Sequence, residues 1–232
     1  MSSIRYIFIL QRLATLLAVS ILTLSLSAAV TGVLLAFNYD PSAGGAYASI
    51  KQILTEVPNG SLIKDLHDIS GNGLIAVSLA QIVVMFLGRQ FRRSWLVAWI
   101  AGVTLTLTAI ALAWTAMILD WTQLGYWRLS IELGTIEAIP LIGSQLREIL
   151  TGGGAIATAT VERLYTIHSY LLPGGAILLS VIHLGGLLLQ EQAQHSAKIT
   201  ETLPAEASVV PQDAKQESEA QVSVSAAEDL SL

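Results

Sequence analysis

Four long stretches of the sequence contain no Asp, Glu, Lys or Arg, and they constrain the fold more than any other feature. We name them spans A to D; they cover residues 13–37, 69–88, 94–119 and 164–189. Each reaches or exceeds the roughly 20 apolar residues that cross a bilayer core as an α-helix. A soluble protein with four buried helices rarely tolerates uncharged runs of this length. The sequence therefore predicts an all-α membrane protein with four transmembrane helices.

The composition excludes several functional classes and suggests two regions. The chain has no cysteine, so disulfides, thiolate metal sites, iron–sulfur ligation and thioether-linked cofactors are excluded within it. No cluster of basic residues supports binding to nucleic acid. Eight acidic residues and two lysines fall from Glu191 onward, in a segment rich in Ala, Ser, Glu and Gln. We expect a membrane domain over residues 1–190 and a disordered acidic tail over residues 191–232.

The charged residues outside the spans predict an orientation. The N-terminal segment and the B–C loop carry five arginines and no acid, whereas the A–B and C–D connections carry five basic and nine acidic residues. The positive-inside rule then places both termini on the cytoplasmic or equivalent face, here called the n-side. The opposite face, the p-side, receives two long loops of about 30 to 45 residues, which are expected to contain structure. Residues 132–150 predict short surface helices broken at Pro140 and Gly143, either as a cover or as the wall of a substrate site.

Three of the four histidines lie in or beside the spans. His67 precedes span B and His168 lies in the first turns of span D, so both are expected near the p-side. His183 follows His168 by 15 residues, or ~22 Å along a helix. The position 14 residues after His67 is Gln81, ~21 Å further on. Each pair falls on roughly one helix face, so two facing rows offer one site near each membrane surface. His195, in the tail, is interpreted as a solvated surface residue.

The matched histidines near the p-side are typical of a haem iron with two axial imidazoles, which suits one-electron transfer because both axial positions are filled. A flat, large porphyrin also needs small neighbours, and suitable depths are occupied by Gly32, Gly71, Gly73 and Gly102. The alternative is that each histidine only forms a hydrogen bond with a neighbouring helix. That alternative is stronger for His183, because Gln81 is a poor iron ligand and could instead be its hydrogen-bond partner.

Longer segments point to a known family. In chain order they read TGVLLAFNYDP, AYASIKQILTEVPNGSLIKDLH, LDWTQLGYW, EAIPLIGSQLREILTGG and TVERLYTIHSYLLP. With these segments the chain resembles the cytochrome b family, specifically its four-helix cytochrome b6 type, over residues 13–190. The resemblance implies a bundle with two stacked b haems, the p-side one bound by His67 and His168. His183 would be one ligand of the n-side haem, with Gln81 at the position of the other.

The sequence also departs from the family pattern. Val84 stands where the family has an arginine near the n-side haem, so that site lacks a charge as well as a ligand. Near the p-side haem, Lys64 replaces an arginine and keeps its charge, whereas Asp68 occupies a position that is basic in close relatives. Arg163 retains the family's arginine before span D. The expected cofactor-binding residues are His67, His168, His183, Gly32, Lys64 and Arg163.

These observations predict a b-type cytochrome subunit that carries electrons in a quinol-linked complex of a bacterial inner or thylakoid-type membrane, with the p-side haem retained. Beyond the lipid bilayer, the expected partners are a membrane quinol or quinone, a Rieske-type or c-type protein, and a separate C-terminal half of cytochrome b. The last is expected because the sequence lacks the family's Pro-Glu-Trp-Tyr quinol-oxidation motif, so the chain is at most part of a quinol-oxidising complex. Two alternatives stay open: a degenerate non-redox structural or regulatory subunit, and a five-coordinate n-side haem on His183.

Overall fold

A computed structural model describes residues 2–202, with side chains from 6 to 197. Its α-helices are α1 Ser2–Ala36, α2 Ala46–Thr55, α3 Gly60–Leu87, α4 Leu96–Leu119, α5 Gln123–Glu137, α6 Gly143–Thr151, α7 Thr158–Thr166 and α8 Leu172–Thr202. A 3₁₀ turn, Arg93–Trp95, precedes α4, and a π-helical turn, Ile167–Leu171, joins α7 to α8. Within the described residues, four helical segments are long and apolar enough to cross a membrane. The predicted four-helix membrane fold is therefore confirmed.

The helices extend past the uncharged spans, most clearly at the p-side end of α3. That helix begins at Gly60 rather than near residue 69, where span B begins. Polar residues at a membrane surface can continue a helix, because each peptide group still satisfies its hydrogen bonds within the segment. The consequence is that His67 lies inside α3, with helical turns on both sides that fix the direction of its side chain.

The four membrane helices meet in the middle of the bundle. Helix α1 packs along α3, and α3 packs along α4. A central cluster combines residues from all four: Ile21, Leu74, Leu105, Ala109 and Ala176. Small polar side chains add interhelical contacts, since the Ser25 and Ser180 hydroxyls lie 3.3 Å apart. Small residues and buried hydroxyls of this kind allow membrane helices to approach closely.

The p-side end of the bundle is covered by the loop helices. Leu129 and Leu133 of α5 pack with Ile118 and Leu164 in a buried apolar cluster. Helix α5 begins where the Thr122 hydroxyl accepts a hydrogen bond from the Gly125 amide, an ordinary N-cap. The predicted break at Pro140 and Gly143 is present, since α5 ends at Glu137 and α6 begins at Gly143. The contacts of α5 are those of a cover over this end of the bundle.

The chain divides into two units, Met1–Leu189 and Gln190–Leu232. Helix α8 is assigned through Thr202, so the first residues of the predicted disordered tail are helical. The physical reason is composition, because Ala, Gln, Glu and Lys are strong helix formers. The rest of the predicted tail, residues 203–232, lies outside the described residues.

Candidate functional site

A cavity of about 860 Å³ lies at the p-side end of the four membrane helices, within the usual size range of cofactor sites. Both p-side histidines line it, His67 from α3 and His168 from the π-helical turn. Small residues form part of its lining, including Ala28, Ala29, Gly32, Gly71, Ala109 and Ala113. Small side chains along facing helices leave room for a flat group between them.

The π-helical turn that carries His168 has a local cause. Pro173 follows this turn in α8. Proline has no N–H to donate four residues back, and its ring crowds the carbonyl there, which is that of Ser169. A wider turn relieves this conflict, and such turns occur frequently at functional sites. The direction of the His168 side chain is therefore set by an irregular turn rather than by simple α-helical spacing.

The His67 and His168 rings face each other across the cavity. Their centroids are 6.2 Å apart and their planes are inclined by 66°. A metal–imidazole bond is about 2 Å long, so one metal ion bound between two rings places the ring centres roughly 6 Å apart. The observed separation matches two axial imidazoles on one metal ion.

Hydrogen bonds orient the His67 ring. Its Nδ1 lies 3.0 Å from the Ala28 carbonyl oxygen and 3.2 Å from the Thr31 hydroxyl. Thr31 donates its own proton to the Ser27 carbonyl oxygen at 2.7 Å. The hydroxyl and the carbonyl are therefore both acceptors, so Nδ1 carries the proton. The lone pair of Nε2 is left for a ligand bond.

The His168 ring is held in the same way from α4. Its Nδ1 lies 2.8 Å from the Thr115 hydroxyl, which in turn donates to the Ala111 carbonyl oxygen at 2.9 Å. Hydrogen bonds of this kind to the second ring nitrogen fix the tautomer and ring direction of metal-binding histidines. Sequence reasoning missed Thr31 and Thr115, because isolated threonines are common in apolar helices and only the packing shows which ones meet a histidine.

The four glycines predicted to flank a porphyrin have different neighbours. A Cβ atom at Gly32 would lie 3.0 Å from Cε1 of His67, whereas one at Gly71 would meet nothing within 4 Å. Both glycines line the cavity. Gly73 instead faces the Leu24 side chain, and Gly102 faces the His183 ring. Among these four, the structure brings Gly32 and Gly71 to the p-side site.

Lys64 lies at the mouth of the cavity, as expected, but its charge is already paired. Its ammonium group donates to both Asp68 carboxylate oxygens, at 2.8 and 2.9 Å, and lies 3.7 Å from Asp120. Burial raises the pKa of Asp120, and the nearby Lys64 ammonium opposes that shift. Two carboxylates therefore surround the one ammonium group, and its role toward a cofactor stays a prediction.

Tyr39 contributes a neutral donor at the same mouth. Its hydroxyl donates to the Leu119 carbonyl oxygen at 2.7 Å. Burial, together with the nearby carboxyl groups of Asp120 and Asp40, raises the pKa of Tyr39 above its usual value. The phenol therefore stays protonated and ties the segment after α1 to the end of α4.

Arg163 does not line this cavity. Its guanidinium donates to the Ile149 carbonyl oxygen at 2.6 Å and reaches that of Glu148 at 3.4 Å. These carbonyls belong to the last turn of α6, where backbone acceptors have no helical partner. The structure thus places Arg163 as a cap of α6, and its contact with a cofactor stays a prediction of the resemblance.

His183 lies in a tightly packed environment toward the n-side. It is 0% exposed and Gln81 is 1% exposed. The Gln81 amide nitrogen lies 2.9 Å from His183 Nε2, and His183 Nδ1 lies 2.8 Å from the Ala98 carbonyl oxygen. The carbonyl only accepts, so Nδ1 donates and Nε2 accepts from Gln81. The nitrogen expected to bind iron is already engaged.

The fold defines a class, that of integral multi-pass membrane proteins with four transmembrane helices. The sequence model of the cytochrome b/b6/petB family matches residues 4–193. The chain belongs to the cytochrome b/b6 family, as its sequence motifs predicted. It is 31% identical over 162 residues to cytochrome b6 of Synechococcus elongatus, covering 70% of this chain and 74% of that protein. It is 33% identical over 171 residues to cytochrome b6 of Cyanidium caldarium, covering 74% and 79%.

A solved structure described as a hyperthermophilic respiratory Complex III has a similar fold. The match has a TM-score of 0.62 and 24% sequence identity, and it covers 76% of this chain but 47% of the other. The present chain therefore spans about half the length of that one. At this identity the likeness concerns the fold alone.

Membership of this family implies binding of haem b. The p-side residues fit such a group, because two imidazoles with free Nε2 atoms face each other across a cavity with small-residue walls. The n-side residues do not fit it as they stand, because Gln81 occupies Nε2 of His183. The bundle therefore offers a pair of histidines to a haem at its p-side end, but only a histidine already hydrogen-bonded to Gln81 toward its n-side end.

Proposed function

We propose that this chain is an electron-carrying b-type cytochrome subunit with a single haem, held at the p-side by His67 and His168. The observation that carries the proposal is the 6.2 Å separation of the two ring centroids, combined with hydrogen bonds that direct both Nε2 atoms away from the helices. Haem b bound through two histidines supplies a one-electron carrier without an open coordination position.

The residues around the histidines would keep the site rigid. Thr31 and Thr115 hold the rings in one tautomer and one direction, which limits movement of the ligands when the charge changes. The Lys64 ammonium, paired with Asp68 and Asp120, leaves no excess positive charge among these three groups. A more negative surrounding favours the oxidised form of a bound redox group, so we expect a lower potential than free Lys64 would give.

The absence of a second haem is part of the proposal. Gln81 supplies no strong iron ligand, and Val84 supplies no charge for a haem carboxylate, which would be costly to bury alone. Without an n-side carrier, an electron would remain near the p-side rather than cross the membrane. This favours a side branch between quinol and a p-side acceptor over full transmembrane transfer.

The family suggests which proteins and which quinol exchange electrons with this chain. Two of the matched relatives are cytochromes b6. We propose that the chain joins a membrane electron-transport complex and draws electrons from a membrane quinol. A Rieske-type or c-type protein would be the p-side acceptor.

Haem stoichiometry tests this proposal directly. Purified full-length protein is expected to contain about one haem per chain, with a reduced b-type band and a low-spin ferric electron paramagnetic resonance signal. Two low-spin haems, resolved by redox titration, would return the chain to the ordinary family mechanism. Carbon monoxide binding would indicate a five-coordinate haem on His183, and protein without haem would favour a structural or regulatory subunit.

We also propose that both termini lie on the n-side, from the arginine asymmetry of the loops. The chain contains no cysteine, so single cysteines report sidedness cleanly. Ser94 and Ser144 are both exposed and lie in the B–C turn and in α6. A membrane-impermeant maleimide added to the p-side is expected to label Ser144→Cys, and Ser94→Cys only after permeabilisation. The reverse pattern would overturn the topology.

A further inference from the structure

We propose that Gln81 excludes haem from the n-side, and that the Gln81–His183–Ala98 hydrogen-bond chain is a structural lock that replaces the haem. The proposal rests on the single-haem function above and goes beyond it, because it assigns a cause and a substitute for the missing group. Gln81 lies on α3, His183 on α8 and Ala98 on α4. Three of the four membrane helices are thus joined at one level.

The geometry is that of a specific contact. The two side-chain hydrogen bonds measure 2.9 and 2.8 Å, near the optimum for nitrogen donors. Gly102 of α4 lets the ring approach closely, since a Cβ atom there would lie 2.8 Å from His183 Cε1. The ring is therefore positioned by α4 on one side and by the Gln81 amide on the other.

The unpaired amide oxygen of Gln81 also indicates that its contact with His183 is specific. Its Oε1 is buried and has no hydrogen-bond partner among the described residues. Burying an acceptor without a hydrogen-bond partner is unfavourable. The amide is therefore held in place by its one hydrogen bond to His183, although its oxygen makes none within the described part of the chain. An apolar side chain of similar size would avoid this cost but would leave His183 Nε2 unpaired.

Competition for one lone pair is the mechanism of exclusion. Nε2 of His183 has a single lone pair, and the Gln81 amide proton occupies it. Apolar side chains pack directly around this level, including Val84 and Leu184 beside a cluster of Met85, Trp95, Ala98 and Leu187. A porphyrin would have to break the hydrogen bond and displace these contacts for a single axial ligand.

A double-mutant cycle with a matched control tests the lock. Gln81→Leu removes the donor and leaves His183 Nε2 unpaired, so we expect a lower melting temperature in detergent and an unfolding constant raised about tenfold. His183→Leu alone completes the cycle. Gln81→Leu with His183→Leu leaves neither side chain without its partner and should destabilise the protein by less than the sum of the two single changes. Gln90→Leu is the control, because Gln90 is 0% exposed and neither amide atom has a partner among the described residues. It should not destabilise the protein.

Haem uptake tests the exclusion. Gln81→His is expected to raise the ratio above one haem per chain, and adding Val84→Arg should raise it further. The nitrogen-15 resonance of His183 Nε2 should shift in Gln81→Leu, because this atom loses its hydrogen bond while Nδ1 still donates to the Ala98 carbonyl oxygen. A folded Gln81→His protein that stays at one haem would overturn the exclusion, and absence of coupling between Gln81 and His183 would overturn the lock.

The two proposals fail in different ways. Wild-type protein with one p-side haem but no Gln81–His183 coupling would remove the lock and leave the proposed function intact. Wild-type protein without haem, but with strong coupling, would remove the function and leave the lock. Two low-spin haems in the wild type would remove both the single-haem function and the exclusion, because the coupling would then belong to a haem site.

Discussion

Replacing His168 by alanine is expected to abolish the low-spin b-type spectrum. The facing rings supply both axial positions, and one remaining imidazole cannot complete low-spin coordination. Loss of a hydrogen-bond partner of a metal ligand typically costs about 10–100-fold in affinity, so loss of the ligand itself should exceed tenfold. The measurement is haem content per chain together with the reduced-minus-oxidised spectrum of purified protein.

Two variants serve as comparisons for His168→Ala. His195→Ala changes an exposed histidine outside the bundle unit and should leave haem content unchanged. Thr115→Val removes only the hydroxyl that orients the His168 ring, so it should weaken haem binding by less than the ligand variant. A His168→Ala protein with normal haem content and a normal low-spin spectrum would rule out this ligand assignment.

Gly32→Leu is expected to prevent haem binding almost completely. A Cβ atom alone would lie 3.0 Å from His67 Cε1, so the rest of a leucine side chain would displace the ring or fill the cavity. Overpacking of this kind typically costs about 1–3 kcal/mol where no space is available. Gly32→Ala should give an intermediate loss, since one methyl group requires a shift of a few tenths of an ångström. Haem content and the low-spin spectrum report both effects.

A substitution at another helical glycine serves as the control. It shows whether haem is lost because the site is crowded or because a helix has lost a glycine. Gly134 lies in α5, away from the cavity lining, and a Cβ atom there meets nothing within 4 Å. Gly134→Ala should therefore retain full haem content. If Gly32→Leu also bound haem normally, His67 could not be the ligand in the orientation described, because its ring would have had to move.

The fold was largely predictable from residue patterns. Uncharged runs long enough to cross a bilayer leave few alternatives to membrane helices, and the four predicted spans all correspond to helices. Helix ends were less predictable, since α3 extends to Gly60 and α8 to Thr202. Those extensions depend on helix propensity at the membrane surface, which an apolar pattern does not report.

The sites were predictable in part. Spacing and flanking motifs singled out His67 and His168, and the structure brings their ring centroids to 6.2 Å from each other in one cavity. The hydrogen bonds of Arg163 were not predictable, because its place before span D does not reveal that its guanidinium reaches the end of α6. The π-helical turn at His168 was also missed, since its effect on direction arises only when the helix is built with Pro173 in place.

The sequence by itself determined the membrane class, the family and the residue types available at each end of the bundle, because these depend on local composition and order. Only the tertiary structure decided how those residues are used. The Lys64 ammonium group pairs with Asp68 of its own helix and with Asp120 at the end of α4. The positive charge of Lys64 is therefore balanced by two carboxylates. Gln81 of α3 meets His183 of α8, so the His183 nitrogen that was expected to bind iron accepts a hydrogen bond instead. Both outcomes depend on distances of a few ångströms between residues far apart in the chain, which only helix packing sets.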